Sequence, residues 1–161
     1  MVYVPLTYTE YNEMSEYLKT PRVQELLEQE NMFTIYRELN NYSKCTTLTK
    51  MFYELNIDPI QYGHIVPACS VITEQSSITL PENITRICSL AFCECPNLSD
   101  VYLSNKEIKL EDSLFGADGP SHPVTIHYPG TIQEYEDLRL ATVPPYLNIQ
   151  CEDGFVKFEG V

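Results

Sequence analysis

Six cysteines and three histidines are the residues of this 161-residue chain best equipped for chemistry. The cysteines stand at 45, 69, 88, 93, 95 and 151, and the histidines at 64, 122 and 127. A thiol beside an imidazole makes a nucleophile with its base, and Cys151 with His127 is the pairing that neighbouring strands would allow. His127, however, directly follows an apolar strand position and reads as a surface residue on a sheet. Cys93-Glu94-Cys95, with Cys88 nearby, has poor spacing for a metal. Structural zinc wants two separated pairs, usually with two or more residues inside each. The adjacent acids Glu111-Asp112 and Glu136-Asp137 read as solvated faces of turns and helices, because paired carboxylates for hydrolysis need a cleft. His-Glu-x-x-His, Gly-x-Ser-x-Gly and phosphate-loop signatures are absent from the sequence. The expectation is no catalytic residue, no metal site, no cofactor and no enzymatic activity. The thiols would then be small buried hydrophobes in a reducing compartment.

The elements that carry these residues are set by a repeat. Ile78-Thr79-Leu80, Val101-Tyr102-Leu103, Val124-Thr125-Ile126 and Leu147-Asn148-Ile149 share an apolar–polar–apolar pattern, and their first residues are spaced by a constant 23. Ile87 and Leu110 are 23 apart, and so are Phe92, Phe115 and Leu138. A fixed period in the twenties marks a solenoid, whose units bury their apolar faces against one another. The expected repeat core is Ile78, Leu80, Ile87, Phe92, Cys95, Leu98, Val101, Leu103, Leu110, Phe115, Val124, Ile126, Leu138, Leu147 and Ile149.

The first clear unit starts with a short strand and turns at Pro81-Glu82-Asn83. A second apolar stretch at Ile84 and Ile87 follows, then a helical turn with Ala91-Phe92. The second unit departs where Asp118 and Ser121 replace Cys95 and Leu98, inside a Gly- and Pro-rich loop over 115–123. In the third, Pro129-Gly130 turns the chain and Thr131 caps a short acidic helix bearing Tyr135 and Leu138. At the end, Asp153-Gly154 suits a tight hairpin, which would close the open edge of the stack.

Ahead of the repeats the pattern is helical. Thr7-x-x-Glu10 reads as a capping box for a helix reaching about Lys19. Thr20-Pro21 starts another, with Thr capping and Pro in the first turn. Its stripe of Val23, Leu26 and Leu27 either continues or breaks at Asn31 before Phe33, Tyr36 and Leu39. The polar run 40–44 reads as a loop, followed by a helix capped by Thr46 or Thr47. Two readings of 45–77 compete: helix, or a degenerate first repeat. The second rests on the echo of Cys95-x-x-Leu98 in Cys45-x-x-Leu48, and on Ala68-Cys69 lying 23 before Ala91-Phe92. Asp58-Pro59 and Val66-Pro67 argue against any long helix there. The fold class expected is α+β, with a helical region over 1–60 and a repeat domain over 61–161.

Composition narrows the partners. The net charge is −13. Residues 1–75 hold 10 acids and 5 bases (−5), and residues 76–161 hold 13 acids and 5 bases (−8). Such a field repels phosphate backbones and anionic lipid surfaces, so neither nucleic acid nor membrane is an expected partner. Eight of the 12 tyrosines fall in the first 62 residues. Tyrosine joins an apolar body to a polar tip and suits surfaces that meet proteins, though about half of these rings are expected to pack the helical core. The amino terminus lacks a basic start and an apolar core segment, so no signal peptide is read there.

ITLPENITRICSLAFCECPNLSDVYL resembles the BspA-type leucine-rich repeat. Units of that family run as an Ile-x-x-Pro strand, a spaced Ile pair, an Ala-Phe helical turn and Cys-x-x-Leu. The matching positions are Ile78, Leu80, Pro81, Ile84, Ile87, Ala91, Phe92, Cys95 and Leu98. VTIHYPGTIQEYEDL and the later NIQCEDG are similar to the terminal unit of many such proteins from bacteria and their phages. The resemblance covers about residues 76–154 and implies a binding scaffold without catalytic residues. Short versions joined to a small unrelated domain resemble phage-encoded proteins, often virion parts. The functional expectation is therefore a non-enzymatic structural or protein–protein interaction module, part of a virion capsid, neck or tail. The alternative is a soluble factor of the host cytoplasm that binds and modulates a host protein through its acidic repeat face.

Overall fold

The computed structural model describes residues 5–39, 41–61, 63–111, 113–116, 119–120, 122–138 and 147–156. It is α+β: four helices precede a parallel-sheet solenoid of about three turns. Helix α1 spans Tyr8–Leu18. Thr7 Oγ1 accepts the Glu10 amide at 3.2 Å, and its own hydroxyl donates to the Glu10 carboxylate at 2.9 Å. Helix α2 spans Pro21–Glu28, with Pro21 in its first turn. Thr20 does not cap it through its side chain. Its hydroxyl turns back and donates to the Tyr17 carbonyl at 2.9 Å, so it closes α1 instead.

The apolar stripe breaks at Asn31. Glu30 takes a left-handed conformation, and Asn31 Oδ1 accepts from the Thr34 amide at 3.2 Å, which starts helix α3, Met32–Leu39. Helix α4 spans Tyr42–Glu54. Residues 41–44 of the polar run expected to be a loop are therefore its cap and first turn, and Asn40 lies outside the described residues. Asn41, and not Thr46 or Thr47, accepts from the Lys44 amide, because a short amide side chain caps as readily as it loops. Leu18, Val23, Ile35, Leu48 and Phe52 meet in the helical core, and the buried Tyr36 hydroxyl is shared with Thr49 at 2.5 Å.

A 3-10 turn, Pro59–Gln61, leads into the coil. Strands β1 (Ile65–Val66), β3 (Arg86–Ile87) and β5 (Lys109–Leu110) form one parallel sheet. Strands β2 (Ser77–Thr79), β4 (Asp100–Tyr102), β6 (Val124–His127) and β7 (Leu147–Cys151) form the other, with β8 (Gly154–Phe155) antiparallel on its end. Helix α5, Ile132–Asp137, sits between β6 and β7. Thr131 gives it a capping box with Glu134. The expected core residues Leu80, Ile87, Phe92, Cys95, Leu98, Val101, Leu103, Leu110, Phe115, Val124, Ile126, Leu147 and Ile149 are buried together, and Ile78 and Leu138 pack against them partly exposed.

The rungs are not evenly spaced. Ile78 pairs with Val101, Val124 with Leu147 and Ile126 with Ile149, all at 23. Val101 pairs with Ile126, a step of 25, and not with Val124 as the constant period requires. The additional two residues belong to the turn of chain that contains the Gly- and Pro-rich loop. A slip of two keeps every side chain on its own face, so the core stays closed. Leu103 is then followed in its column by Tyr128, whose amide donates to Gln150 and whose ring is buried.

The first rung is irregular as well. Residues 64–77 are a coil turn, while Cys45 and Leu48 lie on α4 and echo the repeat by chance. Val66 pairs with Ile87 at a step of 21. The Cys69 amide accordingly donates to Leu90 O, so Cys69 stacks on Leu90 and not on Phe92. Cys69, Leu90 and Ser113 hold φ of 59°, 65° and 57°. Leu90 N–H in turn reaches Ser113 O at 3.0 Å. The same left-handed corner thus recurs in three successive turns.

Side chains stitch one turn to the next. Asn97 donates to Glu74 O, Ser104 to Leu80 O and Asn105 to Glu82 O. These bonds satisfy carbonyls that a short strand leaves over. The helical layer sits on the corner of the coil, where Ala68, Cys69, Leu90 and Cys93 join its core.

Candidate functional site

Strand alternation sends Val101, Ile126 and Ile149 into the core, turns Ile78 against its edge, and points the residues beside them outward. Parallel pairing then arranges the outward residues in two rows. Ser77, Asp100, Thr125 and Asn148 make one; Thr79, Tyr102, His127 and Gln150 make the other. Phe155, opposite Gln150 on β8, extends the second row. Tyr102 is 42% exposed and Phe155 54%. This flat polar face carrying aromatic rings, held by five strands, is the best-defined candidate site.

Its centre is fixed by three side chains. The His127 ring stacks on Tyr102, centroids 4.1 Å apart and 8° from parallel. His127 Nε2 lies 2.8 Å from Asp100 Oδ1. A carboxylate can only accept, so Nε2 carries the proton. The bond from His127, with a second from the Ser99 hydroxyl at 2.9 Å, holds the Asp100 carboxyl below its ordinary range. The unit presents an oriented ring and a fixed negative charge, which suits recognition.

His127 and Cys151 are not brought together. His127 faces outward, while Cys151 points into the core from the next strand, and burial raises its thiol. His64 Nδ1 meets Asn83 O at 2.9 Å and His122 Nε2 meets Leu98 O at 2.8 Å, so the three histidines serve three separate places. Cys93 and Cys95 diverge: Cys95 turns inward with its Sγ 3.4 Å from Val71 O, while Cys93 turns to the helical layer. Burial pushes Cys88 and Cys95 up to about 12. Among the described residues no group of three or more His, Cys, Asp and Glu side chains is placed to hold a metal. Glu111 pairs with Arg86; Glu136 and Asp137 are exposed on α5; Asp112, Asp118 and Ser121 lie outside the described residues.

A second concavity of about 360 Å³ lies between the helices and the coil. Phe33, Arg37 and Cys45 line it from the helical side, and Arg86, Leu90 and Glu111 from the coil. The Arg86 guanidinium sits 5.6 Å over the Phe33 ring while bonded to Glu111, so cation and ring fasten the two layers.

Sequence reasoning missed Asp100, Tyr102 and Phe155. Asp100-x-Tyr102 flanks the buried Val101 at period two, a signal of an outward pair. Their alignment with His127 depends on the 25-residue step, which the pattern hides. Among the described residues no helix is long and apolar enough to cross a membrane. No family model, no curated protein and no solved structure matches this chain.

Proposed function

We propose that this chain is a non-enzymatic protein-binding module, working as a structural component of a larger assembly. The observation that carries the reading is the outward row Thr79, Tyr102, His127 and Gln150 beside Phe155 on one five-stranded sheet. Half-exposed aromatic rings on an ordered backbone lose little freedom on contact, and such rings are enriched at the centres of protein interfaces. The separation of His127 from Cys151 across the sheet also favours binding over catalysis. In the finer reading the coil is a BspA-type leucine-rich repeat and the assembly is a phage particle. The 23-residue registers at Ile78, Ile87, Val124 and Ile126 support the first part. The second rests on the resemblance alone.

Quantitative mass spectrometry of purified particles tests it. A virion part is present at a fixed copy number, and Tyr102→Ala combined with Phe155→Ala lowers that number while the free protein stays folded. Detection only as free protein in infected cells refutes the virion reading and leaves the soluble host-binding factor.

A further inference from the structure

Cys69 and Cys93, 24 residues apart in the chain, stand with their sulfurs 3.3 Å apart. Two successive turns of the coil converge there. The Cys69 amide donates to Leu90 O at 2.9 Å, and the Cys93 amide donates to the same carbonyl at 3.3 Å. Cys69 is fully buried against the helical core, whereas Cys93 is partly exposed. The pair is thus asymmetric, with one residue partly open to solvent and the other closed off. A disulfide needs the sulfurs at about 2.0 Å, so a closing movement of about 1.3 Å joins them.

We infer that Cys93 and Cys69 form a dithiol–disulfide site, in which Cys93 reacts with a low-molecular-weight disulfide and Cys69 resolves the product. The Cys93 thiolate attacks one sulfur of glutathione disulfide. The Cys93–glutathione bond forms, the glutathione S–S bond breaks, and one glutathione thiolate leaves. Cys69 then loses its proton and attacks Cys93 Sγ, releasing the second glutathione. Two cysteine thiols are oxidised, glutathione disulfide is reduced to two thiols, and the protons lost by the cysteines end on the two glutathiones. The placement of Cys69 as hydrogen-bond partner to Cys93, with burial holding its proton on, fits this order of attack. Cys45 shares the helical core with the pair, but its sulfur is engaged elsewhere. Cys45 Sγ reaches Tyr36 O, and Cys88, Cys95 and Cys151 belong to buried positions along the coil. The bond would lock the first turn of the coil to the second at the seat of the helical layer.

The folded wild-type protein is incubated with glutathione disulfide, quenched, alkylated and mapped by peptide mass spectrometry. The expected product is one Cys69–Cys93 cross-link, two hydrogens lighter, with Cys45, Cys88, Cys95 and Cys151 alkylated only after unfolding. The oxidised form is expected to melt about 5–10 °C higher, as a loop of this length implies. Cys69→Ser is expected to stop at a stable glutathione adduct on Cys93, and Cys93→Ser to leave Cys69 unmodified. If either variant fails to fold, the wild-type map decides alone. Full alkylation of Cys93 after oxidant, a lasting adduct on wild-type Cys93, or a cross-link through any other pair overturns the assignment.

Discussion

Val101 faces Ile126 across the sheet, twenty-five residues along, and the Tyr128 ring thereby inherits the column of Leu103. Tyr128 is 4% exposed, its hydroxyl donates to Lys106 O at 2.8 Å, and its ring meets Tyr135 edge-on at 5.4 Å. Tyr128→Ala is expected to cost on the order of 3–5 kcal/mol, as loss of a buried aromatic does. Tyr128→Phe keeps the ring and loses one hydrogen bond, about 1 kcal/mol. Urea unfolding of both variants checks the pair. Equal costs would mean the hydroxyl, and not the ring, holds this column.

Phe92 is 1% exposed and packs against Phe115 with centroids 5.6 Å apart. Phe92→Ala is expected to remove about 3–5 kcal/mol, a large share of the roughly 5–15 kcal/mol by which a folded domain is stable. Leu55, at 49% exposure, is the control: Leu55→Ala changes stability by no more than about 0.5 kcal/mol. Circular dichroism melts of the two distinguish a repeat core from a surface with apolar content.

Asp100 predicts the acid limb of stability. Its bonds from His127 and Ser99 lower it below the ordinary 3.8. A carboxyl depressed by folding stabilises the native state fully above the ordinary value, and that contribution is lost as pH falls through the folded value. The melting temperature is therefore expected to fall below about pH 4. Asp100→Asn should flatten this part of the profile. An unchanged acid limb in the variant would show that the His127 contact carries no charge dependence.

Ser113 occupies the left-handed corner shared with Cys69 and Leu90. Such a conformation costs an ordinary residue about 1–2 kcal/mol, and glycine escapes that cost. Ser113→Gly is expected to raise stability by roughly 0.5–1 kcal/mol. Ser113→Val, with its branched β-carbon at positive φ, lowers it by about 1–2 kcal/mol. Paired denaturation curves test the sign of each.

The arithmetic of the coil was legible in the sequence because burial forces it. Ile78 and Val101, or Ile87 and Leu110, must both be apolar when one lies on the other. The 25-residue step was hidden for the same reason. Val124 and Ile126 are both apolar and share a face, so a slip of two leaves the pattern intact. The first turn escaped because its offset drifts, from 21 at Val66 to 23 at Glu74, where Asn97 reaches back. Asn41 misled because the chemistry that caps a helix also makes a loop. The outward rows were invisible to periodicity, which constrains only what is buried. Tyr102 and His127 become neighbours through register, a property of the assembled sheet. The closeness of Cys69 and Cys93 has the same origin.

The reversal at Asp153-Gly154 limits how such a chain can grow. Strand β8 runs against β7, with Gly154 at φ 137°, so a further rung in the direction of the coil would meet it antiparallel and end the parallel ladder. Adding a turn while keeping the parallel ladder means splicing it in upstream, where two parallel strands already face each other. Longer and shorter versions of this architecture should therefore differ by whole units in the middle and keep the same closing segment.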